Sequence, residues 1–203
     1  MKLYGLYAIT DATLTPYDYI KRSVAEAING GAKIIQLRDK DASDEELYQV
    51  AKKLKKICKR NKVKFLLNDR VVLAKAINAD GVHIGKDDTS FETARAILGS
   101  KKIIGVSCYD DIGLANDAVK KGADYVAFGA FFPSVTKPHA KAATIQTLRD
   151  SKRLGVPVCA IGGINDENAG ALVENGADML AVISSLWSGD IKRNACSLNK
   201  AFM

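Results

Sequence analysis

Eight short apolar segments alternate with eight segments of helical periodicity, and this alternation constrains the fold more than any other feature of the chain. The strand-like segments are residues 3–9, 33–37, 64–67, 81–83, 103–106, 125–129, 158–161 and 179–183. The helical segments are residues 17–29, 44–60, 71–76, 91–98, 112–121, 144–154, 167–174 and 192–201. Strands that are apolar on both faces and followed by helices are typical of a closed parallel barrel. The sequence therefore predicts an α/β fold, a single-domain (β/α)8 TIM barrel over residues 1–203.

A short motif repeats where helical segments give way to strand-like ones. It reads Asn-Gly-Gly-Ala-Lys at 29–33, Asn-Ala-Asp-Gly at 78–81, Lys-Gly-Ala-Asp at 121–124 and Asn-Gly-Ala-Asp at 175–178. Glycine or asparagine after a helix permits the left-handed residue that ends it. Each copy therefore predicts a return from helix to strand at the same end of the barrel. The alternative fold, an open doubly wound sheet, lacks the expected G-x-G-x-x-G after the first strand.

Composition excludes several classes of protein. The four cysteines are scattered without a C-x-x-C pair, which argues against structural zinc. No apolar run approaches the roughly 18 residues of a membrane helix, and the first residues do not resemble a secretory signal. The net charge of +7 is concentrated in residues 52–62, on one face of a helix with a single aromatic residue, Tyr48. This pattern indicates a solvated face. We expect a cytoplasmic protein without nucleic-acid or membrane partners, and the sequence is compatible with a homo-oligomer.

Polar side chains follow the strand-like segments directly, and two of them are acidic. Asp69 comes just after the third strand and Asp88 just after the fourth. Neighbouring strand ends meet at one rim of a barrel, where such folds carry their chemistry. Two carboxylates completed by waters and phosphate oxygens are the usual Mg²⁺ arrangement. The alternative is that each aspartate caps the helix that follows it. The pairing favours a metal site.

A second set of polar residues follows the second strand. Gln36, Arg38 and Lys40 alternate in position, so their side chains point the same way if the strand continues. A guanidinium facing a barrel interior needs an anionic partner. That partner is either a bound phosphate or an aspartate, Asp11 or Asp69.

Three loops have the composition of phosphate-binding segments. Residues 129–137 follow the sixth strand and contain hydroxyls and Lys137, which suits a loop that closes over a phosphate. Gly162 and Gly163 follow the seventh strand, and Ser184 follows the eighth; loops at these places commonly bind phosphate in barrels. His83 lies within a strand and is predicted to be a buried, hydrogen-bonded residue rather than a catalytic base. No Ser-His-Asp or Cys-His arrangement stands out.

These segments, taken in order, resemble the thiamine phosphate synthase family. The motifs that carry the resemblance are Tyr-Ala-Ile-Thr-Asp at 7–11, Gln-Leu-Arg-Asp-Lys at 36–40, Asn-Asp-Arg at 68–70, Gly-Val-His-Ile-Gly-Lys-Asp-Asp at 81–88, Gly-Val-Ser-Cys at 105–108, residues 128–137, Ala-Ile-Gly-Gly-Ile at 160–164 and Val-Ile-Ser at 182–184. The family commonly has histidine where Tyr109 stands, and a related branch, the thiazole tautomerases, uses that histidine. This chain has the Thr136–Lys137 pair, which the tautomerases usually lack, and has no histidine at position 109, so the synthase is favoured over this branch. Another phosphate-binding barrel isomerase would need a proton-transfer pair near the centre of the rim, and the sequence offers none beyond His83.

The resemblance implies a barrel enzyme that joins a hydroxymethylpyrimidine diphosphate to a thiazole phosphate and releases pyrophosphate. It implies that Asp69 and Asp88 hold one Mg²⁺ per active site. The positions matching those that hold the pyrimidine diphosphate are Gln36, Leu37, Arg38, Asp39, Lys40, Asn68, Ser107 and Lys137. Those matching the thiazole phosphate site are Ser134, Val135, Thr136, Gly163, Ile183 and Ser184. By the same resemblance, Arg38, Ser107 and Lys137 act in catalysis.

Overall fold

Eight parallel strands close into a barrel in the computed structural model, which describes residues 3–133 and 143–203. The strands are β1 (Gly5–Ile9), β2 (Ile34–Leu37), β3 (Lys64–Asn68), β4 (Gly81–Ile84), β5 (Ile103–Tyr109), β6 (Tyr125–Phe128), β7 (Val158–Ile161) and β8 (Met179–Val182). Each strand pairs with the next, and β8 pairs with β1. The predicted fold is confirmed.

The helices surround the barrel. They are α1 (Ile20–Asn29), α2 (Asp44–Arg60), α3 (Val71–Ala76), α4 (Phe91–Leu98), α5 (Ile112–Lys121), α6 (Ile145–Ser151), α7 (Ala169–Glu174), α8 (Ser184–Trp187) and α9 (Ile191–Asn199). The sequence did not predict α8, which is a single turn. Two predicted helices instead end in short 3₁₀ turns, Lys152–Leu154 and Lys200–Phe202. Within the described residues, no helix is both long and apolar enough to cross a membrane.

The strands are buried on both faces, so the core has two layers. The outer layer lies between the strands and the helices and contains, for example, Leu37 and Val82. The inner layer fills the barrel and includes Tyr7, Leu66 and Met179. Since the inner layer is solid, a ligand can enter only at the ends of the barrel, as in other folds of this type.

The repeated motif has a structural role that the sequence did not reveal. The side-chain oxygens of Asp80, Asp124 and Asp178 accept hydrogen bonds from backbone N–H groups of the preceding strands at 2.8–2.9 Å. The backbone N–H of each aspartate in turn donates to the carbonyl oxygen of that same strand residue, at 2.8–3.0 Å. Each aspartate therefore joins its own strand to the previous one and sets their register. The copy at residues 29–33 ends in Lys33 instead of aspartate, and the Lys33 backbone N–H donates to the Leu6 carbonyl on β1.

We expect Asp124→Ala to lower the free energy of unfolding by about 1–3 kcal/mol, the usual cost of a buried donor without an acceptor. The substitution leaves the N–H of the fully buried Ile104 unpaired and removes the 2.7 Å ion pair with Arg95. Urea unfolding measures the change. Asp117→Ala is the control: its pair with Lys120 is exposed, so the expected change is within about 0.5 kcal/mol. Equal stability of the two variants would contradict this role for Asp124.

Candidate functional site

The carboxyl ends of the strands bring Asp69 and Asp88 to one rim of the barrel. Asp69 directly follows β3, and its backbone N–H donates to the carbonyl of His83 on β4 at 2.9 Å. Asp69 also has a left-handed backbone, with φ at 52°. This conformation is uncommon outside glycine and is best tolerated by asparagine and aspartate. The backbone therefore turns at Asp69, between the end of β3 and the start of α3.

Charged groups surround the Asp69 carboxylate. Burial and the negative charge of Asp88 raise its pKa, while the cations Arg70, Lys40 and Arg38 act in the opposite direction. Asp69 Oδ2 accepts a hydrogen bond from Asn68 Nδ2 at 2.7 Å, and Oδ1 lies 3.3 Å from Arg70 Nε. Two carboxylates and several cations therefore converge on one partly buried place, as the sequence predicted. A raised carboxyl pKa of this origin is typical of functional sites.

The helix-cap alternative does not hold for either aspartate. Helix α3 begins after Arg70 and has no side-chain cap. Helix α4 is capped by Ser90, whose hydroxyl accepts from the N–H of Thr93. The Asp88 carboxylate instead accepts the N–H of Gly85 at 2.7 Å, which holds it within its own loop. Neither carboxylate satisfies a helix N-terminus, so this explanation for the pair is wrong.

Residues 36–40 separate into those that face the site and those that do not. Within the described residues, neither Arg38 nor Lys40 has a carboxylate at ion-pair distance, so the suggested pairing of Arg38 with Asp11 or Asp69 does not form. The Leu37 side chain packs in the outer layer, so only its backbone is available to a ligand. Asp39 accepts the Tyr17 hydroxyl at 2.6 Å and two backbone N–H groups, which orders the loop.

Gln36 and Ser107, both predicted to bind substrate, are joined by hydrogen bonds through the barrel interior. Gln36 Nε2 donates to Tyr7 Oη at 2.5 Å, and Tyr7 Oη lies 2.9 Å from Tyr125 Oη. His83 Nδ1 lies 2.9 Å from Tyr125 Oη, and His83 Nε2 lies 2.8 Å from Ser107 Oγ. His83 is thus hydrogen-bonded, as predicted, but its side chain is partly exposed rather than buried. Sequence reasoning missed Tyr7 and Tyr125, which read as ordinary apolar strand residues.

The contact between His83 and Ser107 resembles the base and nucleophile of a hydrolase, a pairing that the sequence did not suggest. Two observations argue against that chemistry. Burial lowers the pKa of His83 to about 4, so the imidazole is a weak base at neutral pH. Its second nitrogen contacts the Tyr125 hydroxyl, whereas a catalytic triad places a carboxylate there to stabilise the imidazolium. The same low basicity disfavours a proton-transferring isomerase.

The loops after β7 and β8 bring backbone close to the rim. Gly162 and Gly163 both have positive φ, and a Cβ on Gly163 would lie 2.6 Å from the carbonyl oxygen of Pro133. The loop is therefore restricted to glycine at this place. Ile183 precedes α8, and Ser184 is its exposed first residue. The Ser185 hydroxyl donates to the Ile164 carbonyl at 2.6 Å and joins the two loops.

Four predicted site residues lie outside the described residues: Ser134, Val135, Thr136 and Lys137. The predicted closing loop, residues 129–137, lies partly outside them as well. These assignments stay predictions.

Comparisons with known proteins identify the family to which this chain is similar. A family model described as "Thiamine monophosphate synthase" matches residues 6–186. The thiamine-phosphate synthase of Nitrosococcus oceani is 46% identical over 200 residues, which cover 98% of this chain and 92% of the relative. That of Marinobacter nauticus is 45% identical over 201 residues, covering 98% of this chain and 90% of the relative.

A solved structure agrees as well. The thiamine phosphate pyrophosphorylase from Pyrococcus furiosus superposes with a TM-score of 0.89 at 38% identity, covering 98% of this chain and 95% of that one. The family model extends from the second residue of β1 to α8 and includes the rim residues described above. The chain therefore belongs to the thiamine monophosphate synthase family of transferases.

Proposed function

We propose that this protein joins a hydroxymethylpyrimidine diphosphate to a thiazole phosphate, giving thiamine monophosphate and pyrophosphate, with Mg²⁺ as cofactor. The observation that carries the proposal is the environment of Asp69. Its partly buried carboxylate lies near a second carboxylate, Asp88, and near the cations Arg38 and Lys40. An arrangement of this kind suits a metal-bound diphosphate, because the carboxylates hold the cation and the cations hold the phosphate oxygens.

The residues present fit Mg²⁺. Mg²⁺ is usually bound by one or two carboxylates, with waters and substrate phosphates filling the other positions. Asp69 and Asp88 supply two carboxylates, and no cluster of three or more acidic, His or Cys ligands occurs in the part of the chain that the structure describes. Asp69 and Asp88 would therefore hold the ion. When bound, it would neutralise negative charge on the leaving diphosphate.

The reaction breaks the bond between the methylene carbon and the diphosphate oxygen, and the electron pair leaves with the oxygen. The thiazole nitrogen then forms a bond to that carbon with its own lone pair. Arg38, Lys40, Asn68 and Ser107 would donate to the departing oxygens as their charge develops. No protein nucleophile is required, because the aminopyrimidine can stabilise the carbocation. The weak basicity of His83 is consistent with this chemistry.

Production of thiamine phosphate from the two precursors with Mg²⁺ tests the proposal directly. We expect product and one equivalent of pyrophosphate, each absent when either precursor is left out. Folded protein that yields no product would contradict the function. Conversion of a carboxylated thiazole phosphate into its tautomer, without condensation, would support the tautomerase alternative instead.

We expect Ser184→Ala to raise the KM for the thiazole phosphate severalfold and to leave the KM for the pyrimidine diphosphate unchanged. Ser184 is exposed at the β8 end, so its hydroxyl is proposed to contact only the thiazole phosphate. Steady-state kinetics with each substrate varied in turn measure both constants. Ser100→Ala is the control, since this exposed serine lies in the α4–β5 loop at the opposite end of the barrel. A change confined to the pyrimidine KM would place Ser184 in the other site.

A further inference from the structure

Five polar side chains form one continuous chain of hydrogen bonds across the barrel interior. The order is Gln36, Tyr7, Tyr125, His83 and Ser107, and they come from β2, β1, β6, β4 and β5. The four donor–acceptor distances lie between 2.5 and 2.9 Å. The chain begins at a fully buried amide and ends at a hydroxyl that the rim exposes in part. Its members therefore connect the inner layer of the core to the candidate site.

Packing holds the middle of this chain in place. The Tyr125 ring stacks on the His83 ring with centroids 5.6 Å apart and meets the Tyr7 ring edge-on at 6.1 Å. Gly105 on β5 makes room for it, because a Cβ there would lie 1.9 Å from the Tyr125 ring. Rings confined in this way cannot turn away from their partners, so the hydrogen-bonding geometry is preorganised.

Each of the four hydrogen bonds contains one hydrogen, so only a few assignments of donor and acceptor are possible along the series. Burial raises the pKa of Tyr7 and of Tyr125, so both phenols keep their protons. Because the Gln36 amide nitrogen donates to Tyr7, Tyr7 must donate to Tyr125 and Tyr125 to His83 Nδ1, which places the one imidazole hydrogen on Nε2. With one hydrogen on each of these groups, all four links are satisfied only if every group donates in the same direction. Reversing a single link leaves a buried hydroxyl hydrogen without an acceptor, at an appreciable cost.

We propose that the chain donates from Gln36 towards Ser107, and that Tyr7, Tyr125 and His83 act as positioning residues that leave the Ser107 O–H free to donate to the leaving diphosphate. In this direction His83 accepts at Nδ1 from Tyr125 and donates from Nε2–H to Ser107. In the opposite direction the Ser107 hydroxyl would donate to His83, and only its oxygen lone pairs would face an anion. A phosphate oxygen can only accept, so it would be repelled.

This inference rests on the proposed function for the role of Ser107, but the tautomer of His83 can be measured without catalysis. Long-range ¹H–¹⁵N NMR distinguishes Nε2–H from Nδ1–H imidazoles. The sequence contains two histidines, so the spectrum of His139→Gln assigns the signals of His83. We expect His83 to be the Nε2–H tautomer at pH 7, alone and with Mg²⁺ and pyrophosphate. An Nδ1–H tautomer with these ligands would overturn the proposal even if the enzyme is fully active.

Kinetics provide the second test, through a double-mutant cycle. Tyr125→Phe removes the hydroxyl that joins Tyr7 to His83 and keeps the ring. We expect it to lower kcat about tenfold, the scale of one hydrogen bond, with the thiazole KM unchanged. If Tyr125 acts through Ser107, then Tyr125→Phe should cost little more in a Ser107→Ala background. Independent, additive losses would mean that Tyr125 has only a structural role.

Tyr19→Phe is the matched control, because it removes the same hydroxyl from an exposed tyrosine outside the chain of hydrogen bonds. It should leave kcat unchanged. Should Tyr125→Phe fail to fold, the NMR measurement on the unsubstituted barrel still decides the direction of donation. Absence of thiamine phosphate formation by the wild-type protein would contradict the proposed function and leave the tautomer result intact, so the two failures are distinguishable.

Discussion

Asp69→Asn and Asp88→Asn are each expected to lower the rate of thiamine phosphate formation by about 10²-fold or more and to raise the Mg²⁺ requirement sharply. This is the scale for losing one electrostatic contact that forms in the transition state. Asparagine keeps the shape of both side chains. It also tolerates the left-handed backbone of Asp69, where alanine would be strained. The measurement is kcat as a function of Mg²⁺ concentration.

Stability separates this metal role from a structural one. Burial and Asp88 raise the pKa of Asp69, so its charged form destabilises the folded state at neutral pH. Asp69→Asn should therefore unfold at the same or a higher urea concentration than wild type. As the pH falls, Asp69 is protonated in the folded state before it is protonated in the unfolded state. Wild type should therefore gain stability relative to Asp69→Asn between the raised pKa and the ordinary value of 3.8.

A matched control and a binding measurement complete this test. Asp87→Asn removes the same charge from the exposed residue beside Asp88 and should leave activity near wild type. Mg²⁺ with pyrophosphate should raise the unfolding temperature of wild type and of Asp87→Asn, but much less that of the Asp69 and Asp88 variants. Near-wild-type activity at limiting Mg²⁺ in both site variants would exclude the metal role.

Arg38→Ala is expected to lower kcat/KM for the pyrimidine diphosphate by about 10²-fold, because the guanidinium is a donor to the developing pyrophosphate. Arg38 lies half-buried just past β2, and no carboxylate among the described residues pairs with it. Removing the Arg38 side chain therefore leaves no carboxylate without its ion-pair partner, and the free energy of unfolding should change little. Arg38→Lys should retain part of the activity, since the charge remains but the planar pair of donors is lost.

Arg22→Ala provides the comparison for Arg38. Arg22 is an exposed arginine on α1 that forms an ion pair with Glu26, four residues away on the same helix. It should not change either substrate constant. An unchanged kcat/KM in Arg38→Ala would remove Arg38 from the diphosphate site, and a large loss of stability would point instead to a structural role.

Much of the candidate site could be predicted because strand ends in a parallel barrel share one rim. Asp69 and Asp88 follow neighbouring strands, so their proximity follows once the strands are identified. The sequence did not predict which neighbouring group each of these side chains would contact. Asp39 was assigned to the pyrimidine diphosphate by resemblance, yet its carboxylate orders its own loop with Tyr17. Leu37 follows the strand alternation and packs outwards, which the resemblance did not take into account.

The sequence by itself determined the order and type of the elements. Helical and strand periodicity are local properties, set by hydrogen bonds and side-chain directions a few residues apart. For this reason α2, α3, α4 and α5 begin and end at the residues that the pattern predicts.

Only the tertiary structure decided the hydrogen bonds inside the barrel. Tyr7 and Tyr125 are 118 residues apart, and their hydroxyls meet at 2.9 Å only because the strands close on themselves. The direction in which these groups donate is set by the Gln36 amide, which donates to Tyr7, and by burial, which keeps both phenols protonated. Neither closure nor burial is a property of any short segment. The connection from Gln36 to Ser107 therefore appears only when the barrel is complete.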